Sequence, residues 1–253
     1  MTDRAAALAE LRPYIERVRD FTGWDLSLIR ARALDPEPPW DYEARARQLA
    51  SNANSVLDIG TGGGEVYSRI AAGLPARFHA CEEWIVNAHV APQLLRPIGI
   101  DVVHCQTGEG RLPYRDAAFD LVLARHEAID PGEVDRILAP GGTFLTQQVV
   151  PDAWREIRQY LPRATVFPDH WREYPEGFRR LGYHVTAQRH DYRVAFETLG
   201  DLVAMLLIAP WQVPGFDPGA DLDALLALER ALTTEQGIVL SDGRYTLVAS
   251  KPA

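Results

Sequence analysis

In 56-VLDIGTGGGE-65, four glycines fall within five residues directly after a short apolar run, and Asp58 stands near the end of that run. A glycine turn at a strand end lets the main chain approach a ligand where any Cβ would clash. The helix beginning near Gly64 then offers free N–H groups and a positive dipole end to an anion. Glycine spacing discriminates between ligands. Dinucleotide loops follow G-x-G-x-x-G, whose third glycine, five positions after the first, serves helix–strand packing under a pyrophosphate. Here the first is Gly60 and position 65 is Glu65, so the spacing that fits is G-x-G-x-G, at Gly60, Gly62 and Gly64. Glu65 would set a negative charge beside a pyrophosphate, which disfavours a dehydrogenase. It suits the zwitterionic end of an amino acid better, and Asp58 can act on that end's ammonium, directly or through water.

Glu82 lies 22 residues past Gly60, at the end of 77-RFHACE-82. A carboxylate there can accept hydrogen bonds from both hydroxyls of a ribose. Glu83 is the alternative, because a strand end read from sequence shifts by a residue or two; both acids also suit a helix start without any ligand. The run 119-FDLVLARHE-127 ends in Arg125, His126 and Glu127. Histidine titrates near neutrality, so His126 is a candidate general base or acceptor-orienting group, with Glu127 second; simple packing accounts for both equally well. Gln147 and Gln148, in 142-GTFLTQQVV-150, can orient an acceptor by hydrogen bonds but cannot take its proton.

These groups need a scaffold that brings strand ends to one edge. From Ser55 onward short apolar strands alternate with helices: strands are expected at 55–60, 77–82, 101–106, 119–125 and 142–150, helices at 65–73, 84–96 and 131–138. Such alternation implies a parallel sheet with crossover helices. The pattern then loosens to helices over 152–161 and 171–181, a strand over 183–197, a helical run over 221–237 and a strand over 244–250. Ahead of the core, Leu8, Leu11, Tyr14, Ile15 and Val18 form a helical stripe, and 21–50 reads as two short helices around a proline-rich turn from Asp35 to Pro39. The expected fold is α/β, a seven-stranded, mostly parallel, doubly wound sheet. A helical cap (1–50) precedes the core (51–198), a helical insertion (199–240) follows, and 241–253 supplies the last strand. Phe21, Trp24, Trp40 and Tyr42 of the cap, with Trp211 and Phe216 of the insertion, could close over the sheet's carboxyl edge.

The segments VLDIGTGGGE, Glu82, 112-LPYRDAAFDLVLARHE-127 and 134-VDRILAPGGTFLTQQ-148, in that order and spacing, resemble the class I S-adenosylmethionine-dependent methyltransferases over residues 55–150. The resemblance implies a Rossmann-like core with S-adenosylmethionine as cofactor. Asp58, Gly60, Thr61 and Gly62 would hold the methionine end, Arg125 would border it, and Glu82 or Glu83 would take the ribose. The loop of Gly108, Glu109 and Gly110 would face the adenine, with Trp84 over one adenine face. Many relatives have an aspartate where this chain has Gly108, which makes Glu109 the adenine-facing side chain. The implied activity is methyl transfer to a small or medium-sized organic acceptor, with O-, N- and C-methylation all open. A tRNA or rRNA methyltransferase and a cofactor-binding protein without catalysis are the alternatives.

Composition narrows these classes. With 253 residues, 47% hydrophobic and 24% charged, the chain reads as one elaborated globular domain. A formal charge of −9 repels phosphate backbones, so nucleic-acid partners are disfavoured. No [DNS]-P-P-[YFW] motif follows the fourth strand, where amino-group methylases of adenine and glutamine carry one. Cys81 and Cys105 read as reduced, buried thiols, and no metal-ligand pattern is present. The first twenty residues lack a signal-peptide core, and 202-LVAMLLIAP-210 is too short to span a bilayer. The expectation is a cytoplasmic protein without a membrane partner.

Overall fold

The computed structural model describes residues 4–108 and 110–253. The amino-terminal stripe forms α1 (Arg4–Arg17), followed by the short strand β1 (Ala31–Ala33) and by α2 (Tyr42–Ala50), which the Asp41 side chain caps at the Ala44 N–H. Strands and helices then alternate: β2 (Ser55–Ile59), α3 (Glu65–Ala71), β3 (Arg77–Glu82), α4 (Ile85–Leu95), β4 (Val102–His104), β5 (Phe119–Arg125), α5 (Pro131–Ile137) and β6 (Leu138–Val149). After these come α6 (His170–Arg180), β7 (His184–Phe196), α7 (Leu199–Ile208), α8 (Leu222–Leu232), β8 (Thr233–Thr234) and β9 (Gly237–Ser250).

The described strands form one sheet in the order β1-β7-β9-β6-β5-β2-β3-β4, with β8 paired to β9. β2 is buried at every position, as a central strand covered on both faces must be. Tyr42, Ala46, Tyr67, Ile70 and Leu95 of α2, α3 and α4 cover one face, against Val56, Leu121, Leu123 and Leu145. Val134, Ile137, Tyr174 and Phe178 of α5 and α6 cover the other, against Leu57, Val122, Phe144 and Leu247. The doubly wound α/β fold is therefore observed. β2, β3, β4, β5 and β6 pair in parallel, whereas β9 runs antiparallel between β6 and β7. The carboxyl ends of the parallel strands consequently share an edge with the amino-terminal half of β9.

The seven expected strands are all present, and β1 and β8 add to them. β1 lies where a short helix was expected; the alternation of Ala31, Arg32 and Ala33 pairs instead with Phe196, Ala195 and Val194 at the end of β7. β9 starts at Gly237 rather than at 244, because its partner β7 continues and keeps residues 237–243 in register up to Phe196↔Ile238. Over 152–161 only a 3-10 turn forms, Arg155–Gln159, entered through Trp154 at a φ of 53°.

A third apolar cluster joins α1, α7 and α8 to the outer parts of β7 and β9 through Leu11, Leu202, Leu206, Leu225, Phe196 and Leu240. Asp201 sits inside it with no exposed surface. It accepts from Arg17 Nη2 (3.2 Å), the Arg30 main-chain N–H (3.2 Å) and the Thr198 hydroxyl (2.6 Å), tying the amino-terminal elements to α7. Burial pushes this carboxyl up, but the bonds from Thr198, Arg30 and Arg17 outweigh burial and hold it below the ordinary Asp value. The native state therefore gains stability from Asp201 above that value and loses it as pH falls through the lowered one. Asp201→Ala should cost about 2 kcal/mol at neutral pH, since the two arginines left behind can hydrate. Urea midpoints of the two proteins should converge towards about pH 3; a gap independent of pH would refute the assignment.

Candidate active site at the carboxyl edge of the sheet

The loop leaving β2 takes its shape from the three spaced glycines. Gly60, Gly62 and Gly64 have φ of 69°, 62° and 88°, in the left-handed region that side chains rarely adopt. Their surroundings differ. A Cβ on Gly64 would meet Leu95 Cγ at 2.8 Å, a packing constraint between α3 and α4. A Cβ on Gly60 would run into the Glu127 side chain, and one on Gly62 into the Trp24 indole. The loop is thus a cradle whose two open positions are covered by the protein's own side chains. Glu65, from the start of α3, accepts from the Trp24 N–H at 3.3 Å, and the buried Asn87 accepts from the Gly23 N–H at 3.1 Å. These two bonds hold the segment around Trp24 over the loop.

Glu82 ends β3 with 3% of its surface exposed. Its carboxylate accepts from the Gly62 N–H at 2.6 Å and the Trp84 N–H at 2.8 Å. Burial raises its pKa, and those N–H groups counteract the rise. Each oxygen retains a lone pair for a further donor. Glu83 is exposed and accepts from the Thr107 N–H (3.0 Å) and hydroxyl (2.7 Å). The same hydroxyl lies 2.7 Å from Glu127 Oε1. The Thr107 hydroxyl is thus shared between the two carboxylates. Burial first, and then the charges of Glu82 and Glu83, push the Glu127 pKa up to about 7 against the bond from Thr107. Asp58 is likewise pushed up to about 7, chiefly by burial and then by Glu82, against the Thr61 hydroxyl and Arg125. Beside it, the Tyr42 hydroxyl is buried without a hydrogen-bond partner.

Next along the edge, β5 ends in a sharp turn. His126 has a φ of 59°, donates its N–H to the Gln147 carbonyl at 2.8 Å, and sets its ring Nε2 3.4 Å from Gln147 Nε2. Gln147 Oε1 accepts from Trp40 Nε1 at 2.8 Å. Gln148 Nε2 donates to the Glu127 carbonyl at 2.7 Å and to Thr146 Oγ1 at 2.8 Å, so it braces the turn. Arg125 and His126 are both exposed at this edge, and desolvation by the protein around them lowers both pKa values. His126 is held well below its ordinary value by burial and by Arg244 and Arg125, and it is neutral at neutral pH.

Of the residues singled out in sequence, Asp58, Gly60, Thr61, Gly62, Glu82, Arg125, His126 and Glu127 come together at this edge, with Glu83 linked to Glu127 through Thr107. Gly108 packs on Ala128, with 3.0 Å from a would-be Cβ to the alanine methyl, and Gly110 turns at a φ of 86°. Glu109 lies outside the described residues. Trp211 contacts both Trp24 (5.6 Å between centroids) and Trp84 (5.9 Å), giving an aromatic roof beside Glu82. Cys81 is buried and Cys105 half-buried, both as free thiols. Thr107, Asn87 and Arg244 were not visible as site residues in sequence. Arg244 could have been found from the antiparallel course of the last strand, which returns its beginning to the active edge.

Residues 57–146 match the family model described as methyltransferase domain. No curated protein matches the chain in sequence. Among solved structures, a candidate methyltransferase from Bacillus halodurans is similar at 18% identity, with 83% of this chain and 99% of that chain covered and a TM-score of 0.60. The [4+2]-cyclase SpnF is similar at 18% identity over 96% of this chain and 93% of its own, with a TM-score of 0.55. Phosphoethanolamine N-methyltransferase 2 of Haemonchus contortus, in complex with S-adenosylhomocysteine, matches at 15% identity over 83% of this chain and 53% of that one, with a TM-score of 0.52. Such identities establish the fold. No described helix is long and apolar enough to cross a membrane.

Asp58 and Glu127 hold protons more tightly folded than unfolded, so the stability they contribute is full below the ordinary carboxylate range and is lost as pH rises through about 7. The thermal midpoint of the ligand-free protein should fall between about pH 4 and pH 7 and level off above, and Glu127→Gln, which cannot titrate, should flatten that slope. Calorimetric scans showing equal slopes for both proteins would remove the raised Glu127 pKa.

Proposed function

We propose, for a chain that carries a class I methyltransferase domain over residues 57–146, that it transfers a methyl group from S-adenosylmethionine to a small or medium-sized organic acceptor, as a cytoplasmic enzyme. The observation that carries this reading is the left-handed glycine cradle locked to Glu82 through the Gly62 N–H. A cofactor with a zwitterionic tail and a ribose suits that combination. Main chain at Gly60, Thr61 and Gly62 approaches the tail closely, Asp58 lies beneath it, and Arg125 borders it. The unpartnered Tyr42 hydroxyl beside Asp58 supports a polar ligand group at this point. Glu82 takes the ribose hydroxyls with its remaining lone pairs, Glu83 stands next to it, and the loop at Gly108 and Gly110 borders the adenine with Trp84.

When bound, the sulfonium supplies an activated methyl group. The protein's own contribution is orientation and exclusion of water. Glu127 must leave Gly60, and Trp24 must leave Gly62, before a ligand can contact the loop. The cap at 1–50 and the insertion at 199–240, in contact through Trp24 and Trp211, then cover the core of 51–198 and 241–253. Neutral His126 orients the acceptor beside Gln147, or takes its proton where the acceptor has one to lose; Glu127 is the second group for that role.

S-adenosylhomocysteine should bind the wild-type protein in titration calorimetry and change the tryptophan fluorescence as Trp24 is displaced. Glu82→Gln should weaken binding about 10- to 100-fold, the range of lost bonds to a charged group, and Gly62→Val should abolish it. Absence of binding to the wild-type protein would overturn the cofactor assignment.

A further inference from the structure

We propose that the sheet edge beside His126 is an oxyanion receptor built from Arg125 and Arg244, and that the methyl acceptor is an apolar or aromatic carboxylic acid bound there as its carboxylate. Calling the ligand the acceptor depends on the methyl-transfer reading; the receptor itself does not.

Strand register places the two arginines on one face. Arg125 pairs with Gln147 across β5 and β6, Val149 pairs with Arg244 across β6 and β9, and Gln147 and Val149 are two residues apart on one strand. Residues so related project from the same side of a sheet. Arg125 has no hydrogen bond or ion pair among the described residues and meets only the Tyr42 ring, 6.0 Å from its guanidinium carbon. Its five N–H donors are exposed and without a protein partner, free for a ligand group that accepts. Arg244 spends Nη1 on Asp242 (2.5 Å) and the Gly243 carbonyl (2.7 Å), and stands over the Tyr192 ring at 5.7 Å; Nε and Nη2 have no protein partner.

Trp40 Nε1 donates to Gln147 Oε1, and Gln147 Nε2, 3.4 Å from His126 Nε2, keeps a second N–H. The two guanidinium groups with free donors favour a ligand group that accepts, and a carboxylate meets guanidinium donors bidentately. Charge selects further: Asp242 pairs with Arg244, and Arg125 has no ion pair, which suits a monoanion better than a phosphate. Trp40 and Tyr192, with His190 between them at 6.4 Å and 6.2 Å, provide flat walls for an aromatic or apolar body.

The test is titration of benzoate, cinnamate and 2-naphthoate against their neutral amides, with and without saturating S-adenosylhomocysteine. At least one acid should bind about tenfold or more tighter than its amide, and Arg125→Met and Arg244→Met should each remove that preference. Retained S-adenosylhomocysteine binding by Arg244→Met reports a folded variant. Equal binding of acids and amides, no binding of any acid, or an unchanged preference in Arg244→Met would overturn the receptor. So would an Arg125→Met protein that loses S-adenosylhomocysteine but not 5′-methylthioadenosine and keeps its preference for acids, because Arg125 would then serve the cofactor's carboxylate. Acid preference in a wild-type protein that fails to bind S-adenosylhomocysteine would support the receptor and sink the cofactor assignment instead.

Discussion

The bond between the Glu82 carboxylate and the Gly62 N–H is the constraint from which the rest of the site follows. It joins the end of β3 to a loop that has three left-handed residues and no side-chain packing of its own at Gly60 or Gly62. A flexible glycine run loses more conformational entropy on ordering than any other sequence, so a buried charge-assisted bond is a sensible place to anchor it. The same carboxylate receives the Trp84 N–H and thereby fixes where α4 begins. Loop, buried acid and aromatic roof are accordingly one unit.

Placing Glu82 there crowds the edge with acid. Asp58 and Glu127 lie within reach of its charge, and Glu83 shares Thr107 with Glu127. Burial and mutual repulsion act in the same direction, and the inexpensive response is to keep protons on Asp58 and Glu127 near neutrality. A Glu127 that is protonated near neutrality lies against Gly60 with less charge added to the cluster. The cover over the cradle is held by the Thr107 bond to Glu127 and by the Glu65 and Asn87 bonds to the segment around Trp24.

Much of this was legible beforehand. Glycines recurring at every second residue predicted a turn whose main chain can approach a ligand, and the structure adds that all three are left-handed. The alternation of apolar runs and helices predicted the parallel strands, because both faces of such a sheet must be covered. Choosing Glu82 over Glu83 needed the structure: the buried member bonds the loop, whereas its neighbour turns outward to Thr107. Three kinds of feature escaped. β1 exists only because the end of β7 offers it an edge, a tertiary pairing with no local signal beyond three alternating residues. The fold-back of Trp24 onto Gly62 depends on Glu65 and Asn87, residues remote from it in the chain. Arg244 came into view only with the direction of β9, since a reversed strand presents its beginning where parallel strands present their ends.

The likeness to both a candidate methyltransferase and a cyclase shows that this fold does not by itself choose a reaction. What differs along the edge is polarity. From Asp58 to Glu127 the free side chains are acids, which suits a ligand rich in donors and carrying positive charge. From Arg125 to Arg244 they are donors, which suits a ligand rich in acceptors and carrying negative charge. The turn at His126 separates the halves, and its left-handed backbone, pinned to Gln147, keeps a neutral imidazole between opposite fields. A protonated imidazole there would face two arginines, so the site excludes charge at the boundary. That arrangement suits a cationic group on one side and an anionic group on the other, meeting across an uncharged imidazole.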